Sequence, residues 1–404
     1  MNFTYVESES VAKIIVIGVG GGGGNAINNM IEAGLAGVKF IAANTDAQDL
    51  ANSKANTKIQ LGERLTEGLG AGADPNAGRD AALESADLIR EALRDAHMVF
   101  IAAGLGGGTG TGAAPVIAEI AKDLGALTVA VVTRPFKFEG MKRSRQGEEG
   151  VKNMREKADT VITIPNDRLR GLAKKNTRLI DIFKMADEIL HDSVKGITDL
   201  IMNPGLINLD FKDVKTVMSK KGMAIMGIGS ASGENRAIEA AEKAISHPLL
   251  EDVSIAGAQK VLMNITCNSD LTMEETMEAS ERISSEIGDE EVEIIWGTAV
   301  DETIGDEMRV TVIATGIGEE KDVVAAPSRN IKGMKGIARG VVRDYTAADR
   351  KYEETLDLPT YYRLKQKRAE EKATREADAK KKKASRIKEI IDLDVPTFLR
   401  RKAD

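Results

Sequence analysis

The sequence contains few of the residue types that build disulfides and metal sites. Among its 404 residues there is a single cysteine, Cys267, and there are three widely separated histidines, His97, His191 and His247. One cysteine excludes an internal disulfide framework and a thiolate cluster. Histidines this far apart in sequence are more typical of packed or surface positions than of ligands. We therefore expect no transition-metal site built from protein side chains.

Aromatic residues and long apolar runs are also scarce. Aromatics make up 3% of the chain, which disfavours the stacking surfaces that bind single-stranded nucleic acid. A net charge of −7 also disfavours nucleic acid as a partner. No apolar run is long enough to cross a bilayer, and residues 1–10 form an acidic tail without a signal-peptide core. These absences predict a cytoplasmic protein with no nucleic-acid partner.

Glycine, by contrast, is abundant, with 39 residues. Residues 104–112 hold six glycines and two threonines, between the apolar run 98–103 and a helical pattern from Ala113 with Pro115 in its first turn. Glycine amides can converge on one anion, and the dipole of the following helix favours negative charge there. A sharp turn also uses glycine, but six in nine residues favour a phosphate-binding loop.

Two other glycine-rich loops precede this one. Residues 18–25 follow the apolar run 11–17 and contain G-x-G-x-x-G, a weak signal for a dinucleotide-binding turn because a glycine run matches many patterns. Residues 68–75 form the other loop and lead into a helix predicted over 79–96. No loop contains GxxxxGK[ST], which excludes a P-loop NTPase. Backbone amides, hydroxyls and a bound cation would then hold the phosphates.

Apolar runs alternate with helical patterns, which predicts an α/β fold with a doubly wound parallel sheet. Its nucleotide-binding domain spans 11–176, with strands at 11–17, 39–44, 98–103, 126–132 and 161–166. A long central helix over 177–202 would join it to a smaller α/β domain at 203–318. That domain has predicted strands at 222–229, 256–265, 291–300 and 308–316, and helices near 234–246 and 272–287.

The chain after residue 318 differs in composition from the rest. Residues 319–390 lack periodic apolar content and predict a disordered linker. Within it, residues 363–390 carry 12 Lys and Arg against 5 Asp and Glu, a local charge of +7. The last segment, 391–404, contains a small apolar cluster typical of a peptide ligand, with a frayed terminus as the alternative.

Two groups of side chains are candidates for more specific roles. Phe183 and Asp187 are four residues apart and share a helix face. They are either a core ring beside a solvated carboxylate, or a clamp that stacks on guanine and accepts from its N1–H and 2-amino group. Asn208, Asp210 and Asp213 follow the central helix, and solvated loop charges are the default explanation for them.

Several motifs in one order resemble the tubulin/FtsZ family. They are Gly106–Gly112 (the tubulin signature), Ile17–Ala26, Thr133–Phe136 with Glu139 and Arg143, and Asn203–Phe211. The resemblance covers roughly residues 11–318 and the last dozen. It implies a cytoplasmic GTPase that polymerises head to tail into the cell-division ring at mid-cell, with GTP or GDP and Mg²⁺ as its cofactors. Mg²⁺ would be held mainly by phosphates and water, and a role for a monovalent cation stays open.

The resemblance also implies which residues bind the nucleotide, activate water and bind partners. The nucleotide would be bound by Gly21, Gly22, Gly23, Gly24, Asn25, Ala71, Gly72, Ala73, Gly107, Gly108, Thr109, Gly110, Thr133, Pro135, Glu139, Arg143, Asn166, Phe183 and Asp187. Asn208, Asp210 and Asp213 would enter the GTP pocket of the next subunit, where the aspartates polarise the attacking water. Residues Asp394–Arg400 would bind membrane-tethering partners. The basic segment 363–390 matches no pattern of the family. It either makes weak contact with acidic lipid or a neighbouring filament, or it is a solvated spacer.

Two other functions are alternatives to this one. A Rossmann oxidoreductase accounts for the glycines at 18–23, but it predicts one glycine loop and not three. A structural filament protein that does not hydrolyse nucleotide would lack the acidic loop, whereas Asp210 and Asp213 favour hydrolysis.

Overall fold

A computed structural model describes residues 12–172, 176–202, 207, 209–219, 223–247, 250, 255, 258–288 and 292–317. The predicted N-terminal tail, basic linker and terminal peptide lie outside these residues, and so does Asn208.

The strands form one sheet in the order β3-β2-β1-β4-β5-β6-β7-β10-β8-β9. Their bounds are β1 Ile14–Val19, β2 Val38–Asn44, β3 Thr57–Gln60, β4 Met98–Gly104, β5 Leu127–Arg134, β6 Thr160–Pro165, β7 Met223–Ser232, β8 Lys260–Cys267, β9 Glu293–Val300 and β10 Glu307–Ile317. Neighbouring strands from β3 to β7 are parallel, β10 is antiparallel to both β7 and β8, and β8 is parallel to β9. The first six strands have the doubly wound order 3-2-1-4-5-6, which places the switch point between β1 and β4.

Helices cover both faces of this sheet. Their bounds are α1 Gly20–Glu32, α2 Ala47–Ala51, α3 Glu63–Thr66, α4 Pro75–Glu84, α5 Ala86–Leu93, α6 Thr109–Asp123, α7 Met141–Lys157, α8 Asn166–Leu172, α9 Leu179–Met202, α10 Phe211–Met218, α11 Arg236–Ile245 and α12 Met273–Ile287. Apolar residues of α1, α9 and α10 pack on one face of β1 and β4, while those of α4 to α7 pack on the other. A third core lies between β7, β8, β10 and the helices α11 and α12.

The mixed α/β fold with a doubly wound parallel half and a long central helix is confirmed. The sheet runs without interruption from β3 to β9, so the predicted smaller α/β unit, which has its own core, shares one sheet with the first unit. Some element boundaries in the prediction are wrong. The predicted helix 79–96 is two helices separated at Ser85, whose hydroxyl accepts the Gly62 N–H at 2.9 Å. The strand expected from Ala256 begins at Lys260.

The largest local difference concerns the glycines. Helix α1 begins at Gly20 and not after Asn25, and α6 begins at Thr109, which puts Pro115 inside the helix and beyond its first turn. A Cβ on Gly23 would lie 2.2 Å from the Ala102 carbonyl oxygen, and one on Gly110 would lie 2.4 Å from the Gly104 oxygen. These glycines therefore let each helix approach the sheet closely, in addition to exposing amides.

Candidate functional site

The site lies at the carboxyl edge of the parallel strands, at the switch point between β1 and β4. Helices α1 and α6 both start there, and their first turns touch. A Cβ on Gly20 would lie 3.0 Å from the Gly110 nitrogen, and one on Gly22 would lie 3.2 Å from the Gly104 Cα. Two helix N-termini that converge in this way present free amides and positive dipole ends to a single anion. The arrangement suits a polyphosphate.

A cavity of about 320 Å³ opens at this edge. It extends from the two helix starts, past the ends of β4, β5 and β6, to the first half of α9. Its lining residues are Gly20, Gly21, Gly22, Asn25, Gly104, Leu105, Gly107, Gly108, Thr109, Gly110, Thr133, Pro135, Glu139, Arg143, Asn166, Phe183, Ala186, Asp187 and Leu190.

Most of the residues that the sequence proposed for nucleotide binding line this cavity. The structure places five of them elsewhere. Gly23 packs against β4, and Gly24 lines a pocket of about 130 Å³ that adjoins the cavity and shares Gly20, Gly21 and Asn25 with it. Ala71 is buried next to Gly108, while Gly72 and Ala73 both have a left-handed φ, near 57° and 59°. The loop 71–73 is thus outside the lining of the cavity.

A buried hydroxyl that sequence reasoning missed lies at the phosphate end. Thr45, at the end of β2, is fully buried, and its Oγ1 lies 2.6 Å from Oγ1 of Thr109. If Thr45 is the donor, the Thr109 hydroxyl keeps its own proton for a phosphate oxygen. The Thr45 carbonyl also accepts from Gly70 N and from the Thr66 hydroxyl, both at 3.3 Å. Thr45 therefore connects two of the glycine-rich loops.

The side chains at the opposite end of the cavity are those expected of a site that binds a nucleotide base. Phe183 is 41% exposed, and its ring meets Phe136 edge-on, with centroids 5.4 Å apart. Four residues along α9, Asp187 faces the cavity, and burial raises its pKa to about 7. The Oδ1 of the buried Asn166 has no hydrogen-bond partner. An exposed ring, a carboxylate and a free amide oxygen together fit a planar base with hydrogen-bond donors.

Between the two ends lies an ion pair. Arg143 Nη1 donates to Glu139 Oε2 at 2.6 Å, and Glu139 Oε1 accepts the Phe136 N–H at 2.9 Å. Arg143 is the one Lys or Arg among the lining residues. A triphosphate would therefore meet little cationic charge from side chains, which fits a nucleotide that is bound together with a divalent cation. Across the residues that the structure describes, no group of three or more His, Cys, Asp or Glu side chains could hold a metal.

The acidic pair is far from this cavity. Asp210 caps α10, where its Oδ1 accepts from Asp213 N at 2.9 Å, and Asp213 Oδ2 accepts from Asp210 N at 3.3 Å. The ring of Phe211 lies 6.2 Å from that of His97, which immediately precedes β4. Since β4 spans seven residues, the glycine loop at its other end is about 20 Å away. The carboxylates thus lie at the amino edge of the sheet.

In the described part of the chain, no helix is both long enough and apolar enough to span a membrane.

Comparison with known proteins agrees with the fold. The sequence model for the Tubulin/FtsZ family, GTPase domain, matches residues 13–174, and that for the FtsZ family, C-terminal domain, matches residues 222–318. The cell division protein FtsZ of Coxiella burnetii is 49% identical over 390 residues, which cover 96% of each chain.

Solved structures give the same result. An empty FtsZ dimer from M. jannaschii has a TM-score of 0.73 and 48% identity, covering 76% of this chain and 89% of that one. The GTPγS-bound protofilament of CetZ2 from Haloferax volcanii, at 22% identity and a TM-score of 0.65, covers 76% of this chain and 94% of that one and shares the fold. The chain belongs to the Tubulin/FtsZ family, and it contains both the GTPase domain and the FtsZ C-terminal domain.

Proposed function

We propose that this chain is a cell-division GTPase that assembles head to tail. GTP bound at the carboxyl edge of one subunit would be hydrolysed when Asn208, Asp210 and Asp213 of the next subunit reach it. The observation that carries the proposal is the separation between the cavity and the acidic pair within one chain.

One distance gives that separation, and the length of α9 agrees with it. Strand β4 puts the acidic pair about 20 Å from the glycine loop, as described above. Along α9, Met202 lies fifteen residues beyond Asp187, which corresponds to about 22 Å of helix. A carboxylate must lie within hydrogen-bond reach of the water that it activates. Asp210 and Asp213 therefore cannot serve the nucleotide of their own chain.

The two edges also carry surfaces that suit contact between copies. Beside the acidic loop lies a groove of about 560 Å³ that includes Ile207, Leu271, Met277 and Trp296, and Met273 at its rim is 80% exposed. Near the cavity, the exposed apolar residues include Leu69, Phe138 and Met141, and Phe183 of its lining is 41% exposed. Apolar side chains exposed at both edges favour association. A contact between unlike faces repeats without closing, which produces a filament.

The chemistry needs little beyond positioning. Phosphoryl transfer proceeds through a loose transition state that is stabilised mainly by charge and orientation. Amides of α1 and α6 and the Thr109 hydroxyl would hold the phosphates, with Mg²⁺ offsetting their charge. Asp187, Asn25, Asn166 and Phe183 would select guanine, and Glu139 with Arg143, Thr133 and Pro135 would contact the ribose side. The aspartates of the next subunit would orient the water and accept its proton.

The cellular part of the proposal follows from the relatives. Filaments would form at the mid-cell division site, where residues Asp394–Arg400 would bind membrane-tethering division proteins. The basic segment 363–390 would add weak contacts with the membrane or a neighbouring filament, because its charge is opposite to that of acidic lipid and of the remaining chain.

A complementation experiment tests the shared site directly. Gly107→Asp places a carboxylate in the phosphate loop, at a position where a Cβ meets nothing within 4 Å, so it should fold but not bind GTP. Asp213→Ala should bind GTP but not hydrolyse it. Each variant alone is expected to be inactive, whereas a mixture should turn over GTP at sites that combine the two. Specific activity of the unmodified chain should also rise with its concentration.

Two results would contradict the proposal. An inactive mixture, from variants that each remain folded and co-assemble, would place both halves of the site in one chain. A specific activity that is independent of protein concentration would lead to the same conclusion.

A further inference from the structure

One side chain outside the cavity contacts the base-recognising carboxylate. Asn29 lies on α1, four residues after Asn25, and its Nδ2 donates to Asp187 Oδ2 at 2.9 Å. The bond joins α1 to α9 across 158 residues of sequence. Asn29 is not among the lining residues of the cavity, so it acts on a bound base only through Asp187.

Asp187 is in an environment that disfavours its ionised form. Burial is the largest cause of its raised pKa, and the negative charge of Glu188 adds to it, while the hydrogen bond from Asn29 lowers the pKa. The other titratable groups nearby on these elements are Lys184 and His191 on α9, Glu32 of α1 paired with Lys54, and the pair Glu139–Arg143 across the cavity. Among the causes that act on Asp187, Asn29 is the one that favours the charged form.

The charge state of Asp187 matters because guanine presents two donors. An ionised carboxylate accepts from both N1–H and the 2-amino group, whereas a protonated one offers a donor where an acceptor is needed. We infer that Asn29 is a positioning residue that keeps the Asp187 carboxylate ionised and oriented for a guanine base. This inference rests on the proposed binding of GTP.

The inference makes GTP affinity depend on pH in a defined direction. Asp187 takes up a proton as the pH falls through about 7, so affinity should decrease below pH 7 and level off above pH 8. The stability of the unliganded protein should change in the opposite sense. Its folded state binds this proton more tightly than the unfolded state, so the Asp187 contribution to stability decreases as the pH rises from about 4 to 7.

The decisive variants remove the hydrogen-bond donor of Asn29 or replace it with a carboxylate. Asn29→Leu keeps a similar volume but offers no hydrogen bond, and it should weaken GTP binding about tenfold at pH 7, with the deficit shrinking by pH 9. Asn29→Asp puts a second carboxylate against Asp187, where both cannot readily ionise, and it should bind GTP still more weakly at pH 7. Equilibrium binding of GTP to the full chain between pH 6 and 9, below its assembly concentration, measures both effects.

The neighbouring residue is the matched control. Asn28 lies on the same helix but accepts from Lys54 N at 2.7 Å, away from α9, so Asn28→Leu should keep the pH midpoint of the unmodified chain. Thermal unfolding verifies that each variant is folded. Deficits that are equal at every pH, or a midpoint that does not move in Asn29→Leu, would overturn the inference. If the unmodified chain itself binds GTP no better than ATP, the proposed function fails and not this inference alone.

Discussion

The two edges of the sheet are organised differently. At the carboxyl edge, two helices start against neighbouring strands, and their contact distances leave no room for side chains at Gly23 and Gly110. At the amino edge, Asp210 and Asp213 are tied chiefly to one another's backbone amides by a capping box at the start of a short helix. The first edge is fixed by packing, whereas the second is held by local hydrogen bonds and stays open to a partner.

The difference between the edges is what the proposed separation of GTP binding from hydrolysis would require. Binding a polyphosphate through amides requires a preformed cradle, because each amide must already point to the anion. In the proposed mechanism, the residues that activate water would be needed only after assembly, so they would belong on a surface that another copy can reach. Changes at the amino edge should therefore affect GTP turnover alone. Changes at the carboxyl edge should affect stability and GTP affinity.

The largest effect is expected at the open edge. Asp213→Asn keeps the shape of the side chain but removes its negative charge, so turnover should fall by about 10²- to 10³-fold if the carboxylate handles the proton of the attacking water. GTP affinity should stay within about twofold of the unmodified chain. Steady-state GTPase assays and equilibrium GTP binding measure the two quantities. Asp87→Ala on α5, an exposed carboxylate paired with Arg90, is the control and should change neither.

At the packed edge, two adjacent glycines provide a matched pair. Gly23→Ala drives a methyl group into the Ala102 carbonyl and should lower the free energy of unfolding by about 3 kcal/mol. Gly24→Ala meets nothing within 4 Å and should raise it by up to about 1 kcal/mol, because alanine favours the helix. Denaturant unfolding of both variants checks the signs. A destabilised Gly24→Ala would mean that α1 does not begin at Gly20.

The smallest effect tests the hydroxyl pair behind the phosphate loop. Thr45→Val keeps the shape of a buried residue but removes the partner of the Thr109 hydroxyl, which should cost GTP binding about 1 kcal/mol, or roughly fivefold. Thr45→Ser should restore most of the affinity. If the valine variant binds GTP normally, the Thr109 hydroxyl does not depend on Thr45 for its orientation.

Local patterns in the sequence predicted much of the fold. The apolar runs marked β1, β4 and β5 because buried parallel strands need apolar residues on both faces. The continuity of the sheet was not predictable in this way, because β6 and β7 are adjacent in space but separated in sequence by the whole of α9. The start of α1 was misplaced because a run of glycines has low helix propensity, and the close contact with β4 overrides it.

The candidate site was predictable where the residues that act together lie close to each other in the sequence. Phe183 and Asp187 share a helix face, so their spacing was sufficient to propose a base clamp. Thr45 and Asn29 were missed because their partners lie 64 and 158 residues away, and no spacing rule connects them. Asn25 and Asn29 are four residues apart on α1, and this spacing could have predicted a polar helix face directed at α9.

Trp296 gives the molecule an optical property. It is the only tryptophan in the chain, it is partly buried, and it lines the groove beside Ile207 near the acidic loop. Indole emission shifts to shorter wavelengths when water leaves its surroundings. If the groove meets the cavity edge of another copy, the unlabelled chain should report its own assembly as a blue shift. Filament growth and loss could then be followed in real time, without a dye that would itself occupy the contact.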